Sequence, residues 1–409
     1  MVRDFIAEGP VSIIAAGKAA GGMLHEFLLL APGRVDRGVA VGPGPGISVP
    51  APIQWYTGGH PLPDRGSLEA GCEALRCASD TPPSGCLVVL LSGGASALLA
   101  VPVDGVTLGE KIDTTRRLLA AGVPIHELNC VRKHLSAIKG GRLALAAGGR
   151  VLTLAISDVV WPVEDDPAVI GSGPTVVDET TFGEATAIVE RAGIGERVPS
   201  GVLDALERGR DGDLPETLKT NGTPISGAMY RVIGSRRQAM DGAASAARGF
   251  GYAVAQFEHP VVGEARVAGA EHPRRVMAVA RELTGPLCVV SSGETTVRVV
   301  GRGRGGRNQE LALAAASEMS RLGAAAVLAS VGTDGVDGPT DAAGALVDSN
   351  TLARARMLAL APAAAFLAEN DAYTYFDRLG DLIQIGPTGT NVGDLQVVVS
   401  AGAPEGLTP

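Results

Sequence analysis

Apolar runs of strand length, each closing on glycine or small polar residues and followed by a helical period, recur through most of this chain. Val11–Ala16 runs into Gly17-Lys18-Ala19-Ala20-Gly21 and a helix through Leu30. Val39–Val41 is a second strand, followed by a Pro/Gly-rich loop from Gly42 to Pro52. Leu87–Leu91 ends in Ser92-Gly93-Gly94-Ala95-Ser96, and Arg150–Ile156 ends at Ser157-Asp158. Between them, Ser67–Ser79, Leu108–Ala121 and Glu127–Lys139 carry helical spacing. Strands alternating with helices predict an α/β fold with a mainly parallel sheet covered on both faces. Ligands of such sheets sit beyond the C-terminal ends of the strands. Lys18, Ser92–Ser96 and Asp158 all take that position.

With 409 residues, two domains are expected. Residues 200–225, rich in Gly, Pro and charge without a clear period, read as the linker. A second alternating set starts at Arg231–Gly234 and continues with helix 236–248, strand Tyr252–Phe257, helix 272–284 and strand Leu287–Val290. Strand Ala325–Val331 ends at Gly332-Thr333-Asp334-Gly335, and Ile383–Ile385 with Leu395–Ser400 reads as a hairpin around Gly386–Asp394. No internal repeat is visible.

The net charge of -9 argues against a nucleic-acid protein, whose footprint would be a basic face. Aromatic content of 3% leaves Ala, Val and Leu to pack the core. Cys72, Cys77, Cys86, Cys130 and Cys288 form no CxxC pair, so they read as buried thiols of a reducing compartment. Met1-Val2-Arg3-Asp4-Phe5 opens without a signal-peptide h-region, and runs such as Leu87–Leu91 are far short of a membrane span. A cytoplasmic protein is expected.

Local positive charge stands out in this acidic chain. Ser291-Ser292-Gly293-Glu294-Thr295-Thr296-Val297 delivers a carboxylate into a small-residue turn. A loop of four glycines and three arginines, Gly301 to Arg307, then opens the helix Asn308–Leu322. Glycine permits close backbone approach, free N–H groups at a helix start favour anions, and arginine adds bidentate recognition. Together they point to an anionic small molecule. Gly301-x-Gly303-x-x-Gly306 is formally a dinucleotide fingerprint, but positions 321–333 lack the acid that would meet a ribose. Gly17-Lys18-Ala19 fails the Walker pattern at both ends, with Ser12 and Ala19. Lys18 is either a surface lysine at a helix start or, since its charge opposes the helix dipole there, a functional one. Ser92–Ser96 is either a simple turn or an amide nest for phosphate, without the spacing of a hydrolase elbow. Asp334-Gly335-Val336-Asp337-Gly338-Pro339-Thr340-Asp341 does not fit an EF-hand, so Asp334 is either a turn residue or a ligand for Mg²⁺ or a substrate hydroxyl. Of the six histidines, His60 and His134 alone sit in polar, glycine-bearing surroundings, and no zinc spacing is evident.

Taken in order, these segments resemble the class II glycerate kinases with their MOFRL-type C-terminal domain. The resemblance runs through Ala16-Gly17-Lys18-Ala19, Leu91–Ser96, Ile156-Ser157-Asp158-Val159 and Gly171-Ser172-Gly173-Pro174-Thr175. It continues through Ser292–Thr296, Gly305-Gly306-Arg307-Asn308-Gln309-Glu310, Thr333–Gly338 and Thr388-Gly389-Thr390-Asn391-Val392-Gly393-Asp394-Leu395. It implies a Rossmann-like N-terminal domain over 1–229, a smaller α/β domain over 230–409, and an active site in the cleft between them. It further implies ATP-dependent phosphorylation of D-glycerate to 2-phosphoglycerate. Some relatives were labelled hydroxypyruvate reductases. The family usually carries a helical lead-in before the first strand, whereas here that strand begins around Val11, so stability or dimer contacts are where the departure would register.

The resemblance carries over Lys18, Asp158, Glu294, Arg307, Asp334 and Asn391 as functional residues, with Asn308 beside them. Lys18 and Arg307 are expected on phosphate or on charge developing at the γ-phosphoryl group. Ser92, Gly93, Gly94, Ala95 and Ser96 would cradle phosphate or the glycerate carboxylate. Asp158, Glu294 and Asp334 are the candidates for Mg²⁺ and for orienting the attacking hydroxyl, and which one is the base stays open. Arg302 and Arg304 are expected at the rim. The partners expected are D-glycerate and ATP, neither nucleic acid nor membrane, with a homodimer as the candidate assembly. The competing readings are an NAD(P)H-dependent hydroxypyruvate reductase and a non-catalytic sensor of nucleotide or sugar acid.

Overall fold

A computed structural model describes residues 2–44, 48–160, 163–221, 227–279, 285–322 and 326–401. The chain forms two compact units, the first running to Val159 and from Val163 to Ile233, the second from Gly234 onward.

The first unit is built on β1 (Val11–Ala16), β2 (Val35–Gly42), β3 (Ile53–Thr57), β4 (Cys86–Leu91), β5 (Arg150–Ile156) and β6 (Met229–Gly234), in the order β3-β2-β1-β4-β5-β6. The pairs β2/β3, β1/β2, β1/β4 and β4/β5 are parallel. Every residue of β1 and β4 is buried, as their unbroken apolar sequences require in a sheet covered on both faces. Alternation divides them between two cores. Ile13, Ala15, Val88 and Leu90 pack with Leu24 and Phe27 of helix Ala20–Leu30, while Ile14, Ala16, Leu87 and Val89 pack with Ala70 and Ala74 of helix Arg65–Ser79.

Three expectations change here. Residues Ser200–Arg210 are a helix, not linker: Val202, Ala205 and Leu206 share one face and pack with Phe182 and Ile188. The rest of that stretch includes 222–226, outside the described residues. The helix expected to reach Lys139 stops at His134, and Gly140 and Gly141 both take positive φ shortly after. Strand β6 belongs to the edge of the first sheet rather than starting the second set.

The second unit carries β7 (Ala253–Glu264), β8 (Leu287–Thr296), β9 (Ala326–Gly332), β10 (Gly344–Asp348), β11 (Leu382–Ile383) and β12 (Asp394–Ser400), ordered β11-β10-β9-β12-β8-β7. Only β7/β8 is parallel; β8/β12, β12/β9, β9/β10 and β10/β11 are antiparallel. The expected C-terminal hairpin does not form, because β12 inserts between β8 and β9 while β11 pairs with β10. Nor is there a turn at Ser291–Gly293. These residues continue β8, with Ser291 opposite both Phe257 and Gln396, so small side chains there serve close packing. Helix Arg307–Leu322 covers one face through Leu311, Ala315 and Met319, and Met240 and Ala244 of helix Arg236–Gly249 cover the other. Helix 272–284 is seen as Ala265–Val279, and residues 280–284, like Ala325, lie outside the described residues.

The five cysteines are free thiols, and all but Cys72, which is exposed, are buried. No helix among the described residues is long and apolar enough to cross a membrane.

Candidate active site

In the first unit the strand order reverses between β1 and β4, and their C-terminal ends are tied together. The Lys18 N–H donates to Gly93 O at 2.8 Å, and Ala19 N–H to Ser92 Oγ at 3.0 Å. A topological switch point of this kind leaves a crevice that parallel sheets use for ligands. Gly17 has φ +126°, and a Cβ there would fall 2.1 Å from Ser92 Oγ, so the junction demands glycine. Lys18 and Ser92–Ser96 are therefore neighbours, and Asp158 stands two residues past the end of β5, next to β4 in the sheet. Ser96 is more than part of a backbone nest: its hydroxyl lies 2.8 Å from Ser172 Oγ and accepts from Arg132 Nη2 at 2.5 Å. The ring of His60 lies against Gly94. His134 is a core residue, bonded through Nδ1 to Cys130 O at 2.8 Å and through Nε2 to Glu216 at 3.2 Å.

In the second unit the candidate side chains lie where β8, β9, β12 and the start of helix Arg307–Leu322 meet. Arg307 donates from Nε and Nη2 to the two oxygens of Asp394, at 2.6 and 2.8 Å, and its Nη1 lies 3.5 Å from Glu294. Asp394 is buried and also accepts from Asn308 Nδ2 at 2.9 Å, while Asn308 Oδ1 receives the Ser330 hydroxyl at 2.7 Å. Burial alone would lower the Arg307 pKa, but its bonds to Asp394 and the charges of Asp394, Glu294 and Asp337 raise it overall. Asp334 stands on the next loop, its Oδ1 accepting from Val336 N–H at 3.2 Å. That loop is clipped to the one bearing buried Asn391, through Thr333 Oγ1 to Gly393 O at 2.6 Å and Val392 N to Thr333 Oγ1 at 2.9 Å.

The helix start expected to hold an external anion already holds one of the protein's own. Asn308 N–H and Gln309 N–H donate to the two oxygens of Asp337, at 3.0 and 2.9 Å. Burial pushes the Asp337 carboxyl up to about 6, against the pull of those N–H bonds. The arginine and the N–H groups thus serve different carboxylates. The glycines of the loop likewise face protein rather than ligand. A Cβ at Gly301 would fall 2.3 Å from the Glu369 backbone, one at Gly303 2.2 Å from Asp371 Cβ, and one at Gly306 2.3 Å from Asp337. Arg302 and Arg304 are exposed, with the Arg304 guanidinium 4.4 Å from the centre of the Tyr373 ring.

Asp394, Asp337 and Arg132 bond candidate residues directly and were passed over by sequence reading. Asp394 stood inside a motif already singled out, three residues after Asn391. Arg132 belonged to a detectable signal, the density of Arg132, Lys133, Lys139 and Arg142 in an acidic chain.

Comparison with known proteins agrees across both units. Residues 3–207 match a family model described as a domain of unknown function (DUF4147), and residues 287–394 match the MOFRL family. A glycerate 2-kinase of Pyrococcus horikoshii is 38% identical over 97% of this chain and 89% of its own length. A crystal structure titled glycerate kinase, from Thermotoga maritima, superposes with a TM-score of 0.85 at 35% identity, covering 95% of this chain and 91% of its own. A relative in Agrobacterium vitis, 38% identical over 96% of this chain and 87% of its own length, bears a provisional hydroxypyruvate reductase name. The chain belongs to the class II glycerate kinase family, with a MOFRL-type C-terminal region.

Proposed function

We propose that this protein transfers the γ-phosphoryl group of ATP to the 2-hydroxyl of D-glycerate, with Mg²⁺, in the cytoplasm. The observation that carries this reading is the likeness to a glycerate 2-kinase over 97% of the chain. The chemistry asks for positioning and charge stabilisation rather than covalent catalysis. Lys18, at the switch point of the first sheet, serves the transferring phosphate, and the Ser92–Ser96 turn supplies hydroxyl and N–H donors beside it. Arg307 contributes positive charge held in a fixed plane by its two bonds to Asp394. Glu294, 41% exposed and beside Arg307, and Asp158 and Asp334 near strand ends are the carboxylates available to orient the attacking hydroxyl. Asn391 completes the polar lining on the loop clipped to Thr333.

Mg²⁺ neutralises phosphate charge in such a transfer. Among the described residues no group of three or more His, Cys, Asp or Glu is assembled to hold a metal. Single carboxylates such as Glu294 fit an ion that arrives on phosphates and takes one or two protein oxygens, the ordinary mode for Mg²⁺. Purified protein with D-glycerate, ATP and Mg²⁺ should form ADP and 2-phosphoglycerate, read by a coupled assay and product analysis. Stoichiometric NADH oxidation with hydroxypyruvate, without kinase turnover, overturns the reading.

A further inference from the structure

Arg132 differs from Arg307 in what its guanidinium meets. It is half-buried at the end of helix Ile125–His134, and among the described residues no carboxylate lies within ion-pair distance of it. Its Nη1 donates to Asn129 Oδ1 at 3.2 Å and its Nη2 to Ser96 Oγ at 2.5 Å, both neutral acceptors. The segments that carry these groups are fixed by two buried lysines. Lys111 Nζ donates to Leu135 O at 2.8 Å and Arg132 O at 3.4 Å, and Lys139 Nζ donates to Ser96 O at 2.7 Å and Leu99 O at 3.3 Å. Burial, then the charges of Arg132 and Arg142 on Lys111 and those of Lys111 and Arg132 on Lys139, pushes both lysines well below their ordinary range. Lys111 and Lys139 thus bond carbonyls rather than acids, whereas the neighbouring Lys133 meets Asp178 at 3.2 Å.

Ser172 adds an independent observation. Its hydroxyl is buried 2.8 Å from Ser96 Oγ, and its backbone takes φ +62°, a left-handed conformation rare outside glycine. Gly171 and Gly173 share that conformation, and Gly140 N and Gly141 N donate to the carbonyls of Ser172 and Gly173 at 3.2 and 2.7 Å. A serine kept where glycine would cost less places its hydroxyl deliberately. Arg132 Nη2 donates to Ser96 Oγ, and either hydroxyl of the Ser96–Ser172 pair can donate to the other, so one hydroxyl proton and the remaining guanidinium N–H groups are left to meet a planar anion.

We propose that Arg132, with the Ser96–Ser172 hydroxyl pair, binds the carboxylate of the acid substrate. The assignment rests on the glycerate kinase reading and gives it a determinant of acceptor specificity. A planar fork beside one hydroxyl suits a carboxylate, and a lysine replacement keeps charge but loses the fork.

The test is steady-state kinetics on the full chain, with thermal melts as folding controls. Arg132→Lys should raise the KM for D-glycerate about 30-fold, with the KM for ATP within about twofold of wild type. Ser172→Gly suits the left-handed backbone and removes the hydroxymethyl group, so it should fold and raise the glycerate KM about fivefold. Glycerol, which lacks the carboxylate, should show no difference in KM between wild type and either variant. Unchanged glycerate KM in both variants of an active enzyme overturns the assignment and leaves the proposed function standing. A rise in the KM for ATP instead places Arg132 on phosphate and also overturns it. Wild-type protein that neither turns over nor binds D-glycerate in calorimetry removes the function, and this assignment with it.

Discussion

In the first unit, Lys111, Lys139 and Arg142 are buried and donate to backbone carbonyls, Arg142 reaching those of Lys133, Ser136 and Pro215. In the second, Arg274, Arg307 and Arg354 each grip both oxygens of one carboxylate, those of Glu318, Asp394 and Asp381. The sheets differ in parallel fashion. Strand β4 is buried throughout, whereas β9 and β12 alternate buried with half-buried positions. Beside the two-sided buried sheet these three cations bond to carbonyls, although Lys133 there meets the buried carboxylate of Asp178 at 3.2 Å. A mixed sheet with one wetter face admits carboxylates, and its arginines become neutralised, rigid struts. The proposal for Arg132 fits this contrast: its side chain keeps neutral partners, whereas Arg307 is held by Asp394.

The largest expected effect tests the strut. Asp394→Ala removes the two short bonds of Arg307 and one of Asn308, leaving a partly buried charge with only the longer 3.5 Å contact to Glu294. Loss of one partner of such a pair costs about 3–5 kcal/mol. Chemical denaturation should show that loss, and kcat/KM for glycerate should fall by more than about 100-fold because Arg307 is no longer held. Arg307→Lys, which keeps charge without the fork, should recover only a minor part of what Arg307→Ala destroys. A stable, active Asp394→Ala protein would break the comparison at its strongest point.

Lys18→Ala probes the other side. Losing a charge contact to the transferring phosphate should lower kcat/KM about 100-fold. The melting temperature should hold, since Lys18 sits in a junction secured by Gly17 and Ser92. Intact kinetics would strip the switch point of its role.

These contrasts were only partly legible in the sequence. Strands β1, β4 and β5 were readable because burial on both faces writes an apolar run, and the loops after them stand where parallel sheets in general bind ligands. Helix Ser200–Arg210 was missed because its buried Val202, Ala205 and Leu206 are diluted by glycine and charge, and β11 because two residues carry no period. Lys18, Glu294 and Arg307 were found as members of local motifs. Their partners were not, because the Arg307–Asp394 bonds span 87 positions and the Asn308–Asp337 bonds 29, and sequence spacing holds no record of such distances. The same limit explains why the helix start looked open to a ligand. Nothing local to Arg307 announces that Asp337 fills it.

Two buried groups of the second unit should pull its stability in opposite directions with pH. Burial, then the charge of Arg275, lowers the His272 pKa from 6.5 to about 4, and Ser291 Oγ lies 3.0 Å from its Nε2. The folded state prefers neutral histidine, so this contribution is complete above pH 6.5 and is lost as pH falls through about 4. Asp337 is raised from 3.8 to about 6, so the folded state prefers its protonated form. Its contribution is complete below pH 3.8 and is lost as pH rises through about 6. Each amounts to roughly 3 kcal/mol over its window. His272→Gln retains a partner for Ser291 and should uncover the Asp337 slope, making stability fall as pH rises from about 4 to 6 in urea titrations. A stability that instead falls with acid in that variant would show that Asp337 is ionised in the fold throughout.

The smallest effect is expected from Lys139→Met, and it separates the two units most cleanly. Lys139 is 1% exposed, its ammonium bonded to the carbonyls of Ser96 and Leu99 rather than to an acid. Methionine has a similar length and no charge to desolvate, so the cost of two carbonyls left without a donor is offset by relief of a buried cation. The net change in unfolding free energy should stay within about 1 kcal/mol. The equivalent change in the second unit, Arg307→Met, strands Asp394 as a buried carboxylate and should cost several-fold more, about 3 kcal/mol or above. Denaturant titrations of both variants at one pH make the comparison directly. Equal losses would mean that Lys139 is as tightly paired as Arg307, and that the positive field of the first unit is already spent inside the fold rather than held for an anion.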